Sequence, residues 1–295
     1  MREFELQLIH GLQDMSCGFL DFLFEFFTFF GESLIAIAIL AYFYWIYNKK
    51  EGQKLATVLI TSLTCNNAIK GIAKVNRPFM DDETVINKRP STATGYSFPS
   101  GHSQTASTLY ASLMRFFKKR WLSILLSILI VLVMVSRMYL GAHYPTDVLV
   151  GCLLGLVFTF GLPKLIDKFK DQKWLLLSIC LIFMPFAIYF LVVQNDLNDD
   201  FFKMYGLLLG YFGAYLFEKK YVNFTTDISN KKKVIRYIVG LVVLIALQGG
   251  LKLLFNAIFV EQTYILKTVL NLVRYGLISF VGLGLYPLIF TKLNF

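Results

Sequence analysis

Charged residues and cysteines are both scarce in this chain of 295 residues. Asp, Glu, Lys and Arg make up only 16% of the sequence, whereas 56% of it is hydrophobic. A soluble protein of this length needs a far more polar surface. The cysteines lie in or beside apolar segments without paired spacing, at Cys17, Cys65, Cys152 and Cys180. This arrangement predicts neither a disulfide framework nor a zinc site, and buried apolar roles are expected for them.

Short segments of alternating hydrophobicity are also absent, and long apolar runs separated by short basic loops take their place. A membrane-spanning helix requires about 20 mostly apolar residues. The pattern therefore predicts an all-α, polytopic helical membrane protein with about nine transmembrane helices. The predicted spans are Ser33–Tyr47, Leu55–Ile72, Ser103–Phe117, Trp121–Leu140, Pro145–Leu162, Trp174–Val193, Phe201–Phe217, Val234–Phe259 and Tyr264–Phe290.

The segment before the first span has a different character. It lacks a basic region followed by an apolar core, so a cleavable signal peptide is not expected. Acidic residues such as Glu5 and Asp14 alternate with Phe and Leu at helical spacing. Residues 1–30 are therefore predicted to form an amphipathic helix in the membrane interface, with His10 at the surface.

The net charge of +10 is spread between hydrophobic runs, which argues against nucleic-acid binding. Lys and Arg concentrate in alternate loops, at 48–54, 115–120, 164–173 and 218–236. The positive-inside rule places these loops in the cytoplasm. The sequence thus predicts a multi-pass protein of the cell membrane, with its N-terminus outside and its C-terminus in the cytoplasm.

Polar residues at the ends of spans form three blocks, and the first joins Lys70 to Arg77 and Pro78. The two cations are seven residues apart, which corresponds to two helical turns. Pro78 should end the span, because proline disfavours a helical conformation in the residue before it. Two cations would then meet at the outer membrane surface. Snorkelling side chains at a helix end would give the same pattern.

The second block is Pro99-Ser100-Gly101-His102, directly before the third span. Serine is a good N-cap residue, and glycine permits a close approach of the backbone to a ligand. The free N–H groups at a helix start can bind an anion. The block also fits an ordinary capped helix with a histidine at the interface.

The third block combines Ser136 and Arg137 with His143 and Asp147. A helix that begins at Pro145 would let the Asp147 carboxylate reach the imidazole four residues earlier. Such a carboxylate fixes the tautomer and leaves the other ring nitrogen nucleophilic. A structural hydrogen bond across a short loop would explain this block as well. The predicted topology places all three blocks on the outer face.

Together the blocks K-x6-R-P, P-S-G-H and S-R-x5-H-x3-D resemble the signature of the type 2 phosphatidic acid phosphatase (PAP2) superfamily. The matching residues are Lys70, Arg77 and Pro78, then Pro99, Ser100, Gly101 and His102, then Ser136, Arg137, His143 and Asp147. The N-terminal half also resembles the bacterial undecaprenyl-diphosphatases of this superfamily. The resemblance implies a PAP2-type catalytic membrane domain at 31–166, after the interfacial segment at 1–30. A C-terminal transmembrane extension of four spans and unknown role is expected at 174–295.

The resemblance further implies a lipid phosphatase that needs no metal and no cofactor. His143 would attack phosphorus and form a phosphohistidine, and Asp147 would orient it. His102 would protonate the leaving oxygen and then help water to attack. The residues expected to hold the phosphoryl oxygens are Lys70, Arg77, Ser100, Gly101 and Arg137.

The expected partners are the bilayer and a lipid phosphate, and several lipids fit. Undecaprenyl diphosphate is favoured by the outward site and the N-terminal likeness. Phosphatidate, phosphatidylglycerophosphate, sphingoid-base phosphates and phosphate transfer between lipids remain open. Vanadium haloperoxidases share this site shape but are soluble proteins. A non-catalytic lipid-phosphate transporter or scaffold is the alternative from another class of function.

Two cations in the extension, Lys252 and Arg274, are predicted to contact the lipid headgroup. Charged side chains within membrane spans are rare and often functional. Pairing with Glu261, or snorkelling to the interface, would also explain them.

Overall fold

The computed structural model describes residues 2–169, 171–259, 261 and 263–292. Met1 and residues 293–295, which the predicted segments include, lie outside the described residues, as does Lys170 of one predicted basic loop. Helices dominate, and no strand occurs among the described residues. The predicted all-α fold is thus confirmed. In chain order the helices are α1 (Arg2–Asp14), α2 (Gly18–Phe29), α3 (Ser33–Tyr42), α4 (Lys49–Ala73), α5 (Pro78–Asp81), α6 (Gly101–Phe117), α7 (Arg120–Tyr139), α8 (Pro145–Ile166), α9 (Gln172–Val193), α10 (Asp199–Phe217), α11 (Asn230–Ile258), α12 (Tyr264–Phe280) and α13 (Tyr286–Lys292).

Every predicted span lies on a helix, but the helices differ in their fitness to cross a bilayer. Five stretches are long and apolar enough, namely α7, α8, α9, α11 and the continuous stretch Tyr264–Lys292. A sixth arises if α2 and the stretch Ser33–Tyr47, bent by 43°, count as one span. Helix α6 is short at 17 residues, and α4 and α10 carry more polar side chains. The chain is a multi-pass membrane protein, and the count of nine spans stays a prediction.

The N-terminal segment forms two helices, so the prediction of one amphipathic helix is wrong. The break between α1 and α2 lies at residues 15–17. His10 Nε2 lies 3.0 Å from Asp82 Oδ2, and the Gln13 side chain bonds both the N–H and the C=O of Ile86. The segment is therefore fastened to the loop that follows α4, and His10 is not a free surface residue.

Two compact units emerge from the packing, and their limits differ from the predicted domains. The first unit comprises Met1–Ala36 and Cys65–Lys164, and the second comprises Ile37–Thr64 and Leu165–Phe295. The predicted catalytic domain at 31–166 therefore includes a segment that packs in the second unit. This segment packs there because two of its aromatic side chains bond to the C-terminal part of the chain. Tyr44 donates to Leu283 O at 2.7 Å, and Trp45 Nε1 donates to Gly282 O at 3.0 Å.

Close packing of α8 on α6 organises the first unit. A Cβ on Gly151 would lie 2.5 Å from Ser100 O, and one on Gly155 would lie 2.8 Å from Gln104 O. Small residues spaced by four let helix backbones approach in this way. This packing brings the starts of α6 and α8 together, which positions the second and third polar blocks.

A similar contact organises the second unit, where Gly206 and Gly210 of α10 lie against the α12 backbone. Cys180 of α9 is buried, but Cys17 is exposed. The burial predicted for the cysteines is therefore wrong for Cys17, which lies at the break between α1 and α2, and is met only in part by Cys65 and Cys152, which are half-buried.

Candidate active site

The third polar block forms a buried histidine–aspartate pair. Helix α8 begins at Pro145 as predicted, so Asp147 lies in its first turn. Asp147 Oδ2 lies 3.3 Å from His143 Nδ1 and accepts the Tyr144 N–H at 2.9 Å. His143 and Asp147 are 2% and 1% exposed, which is rare for such groups without partners. The carboxylate therefore holds the ring from its Nδ1 side.

Ser97 contacts both residues of this pair, and the sequence analysis missed it. Its hydroxyl donates to Asp147 Oδ2 and lies 3.3 Å from His143 Nδ1. It is fully buried. Nothing in the sequence distinguishes Ser97 from Ser91 or Thr94 of the same loop. Its contact with the pair is seen only in the folded structure.

Lys70 and Arg77 converge, but not by helical spacing as predicted. Helix α4 ends at Ala73, Lys74 has a left-handed backbone with φ of 49°, and Arg77 is extended. The prediction of one shared helix face is therefore wrong. Instead both side chains donate to the carbonyl of Tyr96, from Lys70 Nζ at 2.8 Å and from Arg77 Nη2 at 3.4 Å. Carbonyl groups of the loop thus hold both cations.

Arg77 also defines the state of the candidate nucleophile. Its Nη1 lies 3.4 Å from His143 Nε2 and donates to Ala142 O at 2.9 Å. A guanidinium only donates hydrogen bonds, so Nε2 carries the lone pair and Nδ1 the proton. Burial lowers the pKa of His143 well below its usual value, and the positive charges of Arg77 and Lys70 lower it further. The imidazole is therefore neutral near pH 7.

The second block begins α6, and Ser100 is its N-cap residue as predicted. Ser100 Oγ accepts from Ser103 N at 3.4 Å and from Ser103 Oγ at 3.1 Å, which leaves its own proton for another acceptor. Ser100 N donates to Asp147 O at 2.9 Å and so ties the two blocks together. Gly101 opens the helix, where backbone N–H groups favour an anion.

His102 follows in the first turn of α6. Its Nε2 atom is buried and has no hydrogen-bond partner within the part of the chain that the structure describes. A Cβ on Gly31 would lie 3.0 Å from both Cβ and O of His102. The end of the N-terminal helix pair therefore packs directly on this histidine, which the sequence analysis did not foresee.

Arg137 is fully buried at the end of α7. Its Nη1 donates to Thr28 Oγ1 at 2.9 Å and to Thr92 Oγ1 at 3.3 Å. Its Nε and Nη2 atoms are buried without a partner among the described residues. These two atoms form the side-on edge with which arginine binds a phosphate through two parallel hydrogen bonds.

The predicted site residues thus meet in the first unit. Burial lowers the pKa of both His102 and His143, and the charges of Lys70, Arg77 and Arg137 lower both further. His102 also lowers the pKa of His143. No group of three or more His, Cys, Asp or Glu side chains in the described ranges is arranged to hold a metal ion. A metal-free, cofactor-free reaction stays a prediction.

The two predicted cations of the extension lie in the second unit. Arg274 Nη2 donates to Asn271 Oδ1 at 3.1 Å, and no ion pair with Glu261 is seen in the part of the chain described. Lys252 is exposed. Their predicted contact with a headgroup stays a prediction.

The fold and the site define a polytopic helical membrane protein with a buried cationic pocket around two histidines. The chain belongs to the PAP2 superfamily. The model described as PAP2 superfamily matches residues 51–171, and the model described as PAP2 superfamily phosphatase, transmembrane extension, matches residues 202–295. The resemblance found from the motifs is thereby confirmed.

Two curated relatives support the same assignment. Undecaprenyl-diphosphatase BcrC of Bacillus subtilis is 30% identical over 171 residues, which cover 55% of this chain and 84% of that protein. Phosphatidylglycerophosphatase B of the same organism is 31% identical over 134 residues, or 41% of this chain. The match spans 63% of the length of the latter relative. The crystal structure of Aquifex aeolicus LpxE is 26% identical, with a TM-score of 0.49 over 54% of this chain and 94% of that one.

Proposed function

We propose that this protein is a metal-independent phosphatase of lipid phosphates or diphosphates that acts through a phosphohistidine. One observation supports this most strongly. The Nε2 atom of His143 carries a lone pair, faces Arg77, and is held from behind by Asp147. Nearby, the side-on edge of Arg137 is buried without a protein partner among the described residues. We infer that a phosphoryl group binds between these groups.

In the first half of the reaction, His143 Nε2 attacks phosphorus. A P–N bond forms while the P–O bond to the leaving group breaks, and His102 gives its proton to the leaving oxygen. Burial and the charge of Arg137 lower the pKa of His102 well below its usual value in the free protein, so His102 takes up this proton when the anionic substrate offsets that charge. Asp147 accepts the hydrogen bond from Nδ1 and stabilises the charge that develops on the ring. Phosphoryl transfer depends mainly on positioning and charge stabilisation, which the three cations and the start of α6 supply.

In the second half, water replaces the leaving group. His102, now deprotonated, takes a proton from the water as its oxygen attacks phosphorus. The P–N bond breaks, inorganic phosphate leaves, and His143 returns to the neutral form. A general acid or base of this kind contributes about 10²- to 10⁴-fold in rate.

The substrate is a membrane lipid, and the site faces the extracytoplasmic side. The orientation follows from the Lys- and Arg-rich loops, which place the C-terminus in the cytoplasm and the N-terminus outside. The relative named undecaprenyl-diphosphatase favours undecaprenyl diphosphate as the lipid. The relative named phosphatidylglycerophosphatase B favours a glycerophospholipid monophosphate as the second candidate.

The test is phosphate release by the detergent-solubilised protein from a panel of lipids. The panel comprises undecaprenyl diphosphate, phosphatidate, phosphatidylglycerophosphate and sphingosine phosphate. We expect release from at least one lipid, undiminished by a chelator. Binding without release would favour a transporter or scaffold. Labelled phosphate that appears on an added lipid alcohol would indicate a phosphotransferase, and activity that requires added magnesium would contradict the proposal.

The pH dependence provides a further prediction. Attack requires a neutral His143, and burial together with Arg77 lowers the pKa of that residue. Neutral imidazole therefore persists below pH 6.5, the usual histidine pKa. We expect the acid limb of kcat/KM, which reports groups of the free enzyme, to fall below pH 6.5. An acid limb with an apparent pKa of 6.5 or above, measured with a substrate that does not titrate in that range, would contradict the assignment.

A further inference from the structure

Arg89 is a fourth cation beside the pocket, and it belongs to none of the three motif blocks. It directly precedes the short helical turn Pro90–Thr92, whose Thr92 hydroxyl accepts from Arg137 at 3.3 Å. Its guanidinium reaches the end of α2, where Nη2 lies 2.6 Å from Glu32 Oε1. Its side chain is 17% exposed. Arg89 is therefore linked to Arg137, the proposed phosphate-binding arginine, through a single residue, Thr92.

The position of Glu32 places Arg89 on the His102 side of the pocket. Glu32 follows Gly31, whose added Cβ would lie 3.0 Å from His102. Burial lowers the pKa of His102 most, and among the charges Arg137 and then Arg89 lower it more than Arg77 and Lys70 do. The charges that act most strongly on His143 are instead those of Arg77, Lys70 and Arg137. Lys70, Arg77 and Arg137 thus act on both histidines. Arg89 instead lies on the side of His102, the group that faces the leaving oxygen.

The position of Arg89 matters because the leaving group differs between substrates. When a monophosphate is cleaved, the leaving group is an alcohol, which depends on the proton from His102. When a diphosphate is cleaved at its terminal phosphorus, the P–O bond to the bridging oxygen breaks, and a lipid monophosphate departs with the electron pair. That leaving group carries negative charge next to His102, where a cation stabilises it.

We propose that Arg89 binds the second phosphate of a diphosphate substrate and sets the preference for diphosphates over monophosphates. The inference rests on the proposed phosphatase function. Arg89 donates one hydrogen bond to Glu32 and one to Glu25 O at 3.3 Å. A guanidinium has five N–H donors, so donors remain for phosphate oxygens while the ion pair holds the side chain in place.

A structural tether is the competing explanation. The same loop is fastened to the N-terminal helices by Lys88, whose Nζ lies 2.8 Å from Asp21 Oδ1. If Arg89 served only to fasten the loop, its loss would disturb the pocket for every substrate. Glu32→Gln separates the two roles, because it removes the ion pair but keeps the guanidinium.

The experiment compares farnesyl diphosphate with farnesyl phosphate, which share one tail, on the full-length protein in detergent. For Arg89→Gln we expect kcat/KM for the diphosphate to fall about tenfold or more, while kcat/KM for the monophosphate changes less than about twofold. Lys88→Gln is the matched control and should not alter the ratio between the substrates. Glu32→Gln should keep the diphosphate preference.

The alternatives give different results. Equal losses with both substrates, in Arg89→Gln and Glu32→Gln alike, would show a tether and overturn the inference. A wild-type protein that cleaves only the monophosphate would also overturn it and leave the proposed function standing. If the wild-type protein releases phosphate from neither lipid nor from the panel, the proposed function itself fails. Should Arg89→Gln not fold, Arg89→Lys gives the same comparison, with a smaller selective loss expected.

Discussion

Replacement of His143 with alanine is expected to abolish phosphate release. We expect a fall in kcat of about 10²-fold or more, because the variant lacks the atom that forms the P–N bond. The cationic pocket can still bind the substrate, so KM should change much less than kcat. The measurement is steady-state phosphate release by purified protein, using the most active lipid of the panel.

The chain provides a matched control in its third histidine. His10 lies in the same unit, with Nε2 at 3.0 Å from Asp82 Oδ2, and it has no part in the proposed reaction. We expect His10→Ala to keep kcat within a few-fold, with both variants showing wild-type elution in gel filtration. Undiminished release by a folded His143→Ala protein would remove this residue as the nucleophile. Loss of release in both variants to the same extent would indicate a structural effect.

The helices were predictable from sequence because their cause is local. A run of apolar residues must satisfy its own backbone in the bilayer, and each predicted span does lie on a helix. The composition of the units was not predictable in the same way. Tyr44 and Trp45 donate to carbonyls almost 240 positions away in the chain, so the segment 37–64 packs with the C-terminal half. No periodicity in that segment records such distant partners.

The site was predictable wherever chemistry requires an unusual residue. Buried cations and histidines are expensive in a membrane, so Arg137 and His143 stood out. Ser97, Thr28 and Arg89 did not, because single hydroxyls and loop arginines are common in any sequence. Their roles depend on contacts made by the loop after α4 and by α2. These contacts were not predicted because residues 1–30 were interpreted as an interfacial segment. That interpretation treated α2 as separate from the unit that contains the candidate site.

The error over Lys70 and Arg77 has a definite physical cause. Helical spacing would have placed both side chains on one face, but the left-handed backbone at Lys74 ends the helix early. The cations still converge because the Tyr96 carbonyl accepts from both. Loop carbonyls thus do the positioning that the sequence analysis assigned to a helix face. Arg137 differs from both, because its Nε and Nη2 atoms are buried without a partner among the residues described. Arg137 therefore offers the strongest test of phosphate binding.

Arg137→Lys keeps the positive charge but removes that edge. Lysine cannot make the two parallel hydrogen bonds of a guanidinium, and its shorter side chain also loses the bond to Thr28. We expect kcat/KM to fall about 10²-fold, and inorganic phosphate to inhibit the variant less than the wild-type protein. Both quantities come from the same phosphate-release assay, with inhibition followed through release of a labelled lipid product.

Arg115→Lys is the matched control, because Arg115 lies at the opposite end of α6 and has no role in the proposed reaction. It should keep kcat/KM within about threefold. If Arg137→Lys matches the wild-type protein in both quantities, the side-on edge of Arg137 does not bind the phosphoryl group. A loss of kcat/KM with unchanged phosphate inhibition would indicate that Arg137 binds the phosphoryl group only in the transition state. The ground-state anion would then be bound by Lys70, Arg77 and the start of α6.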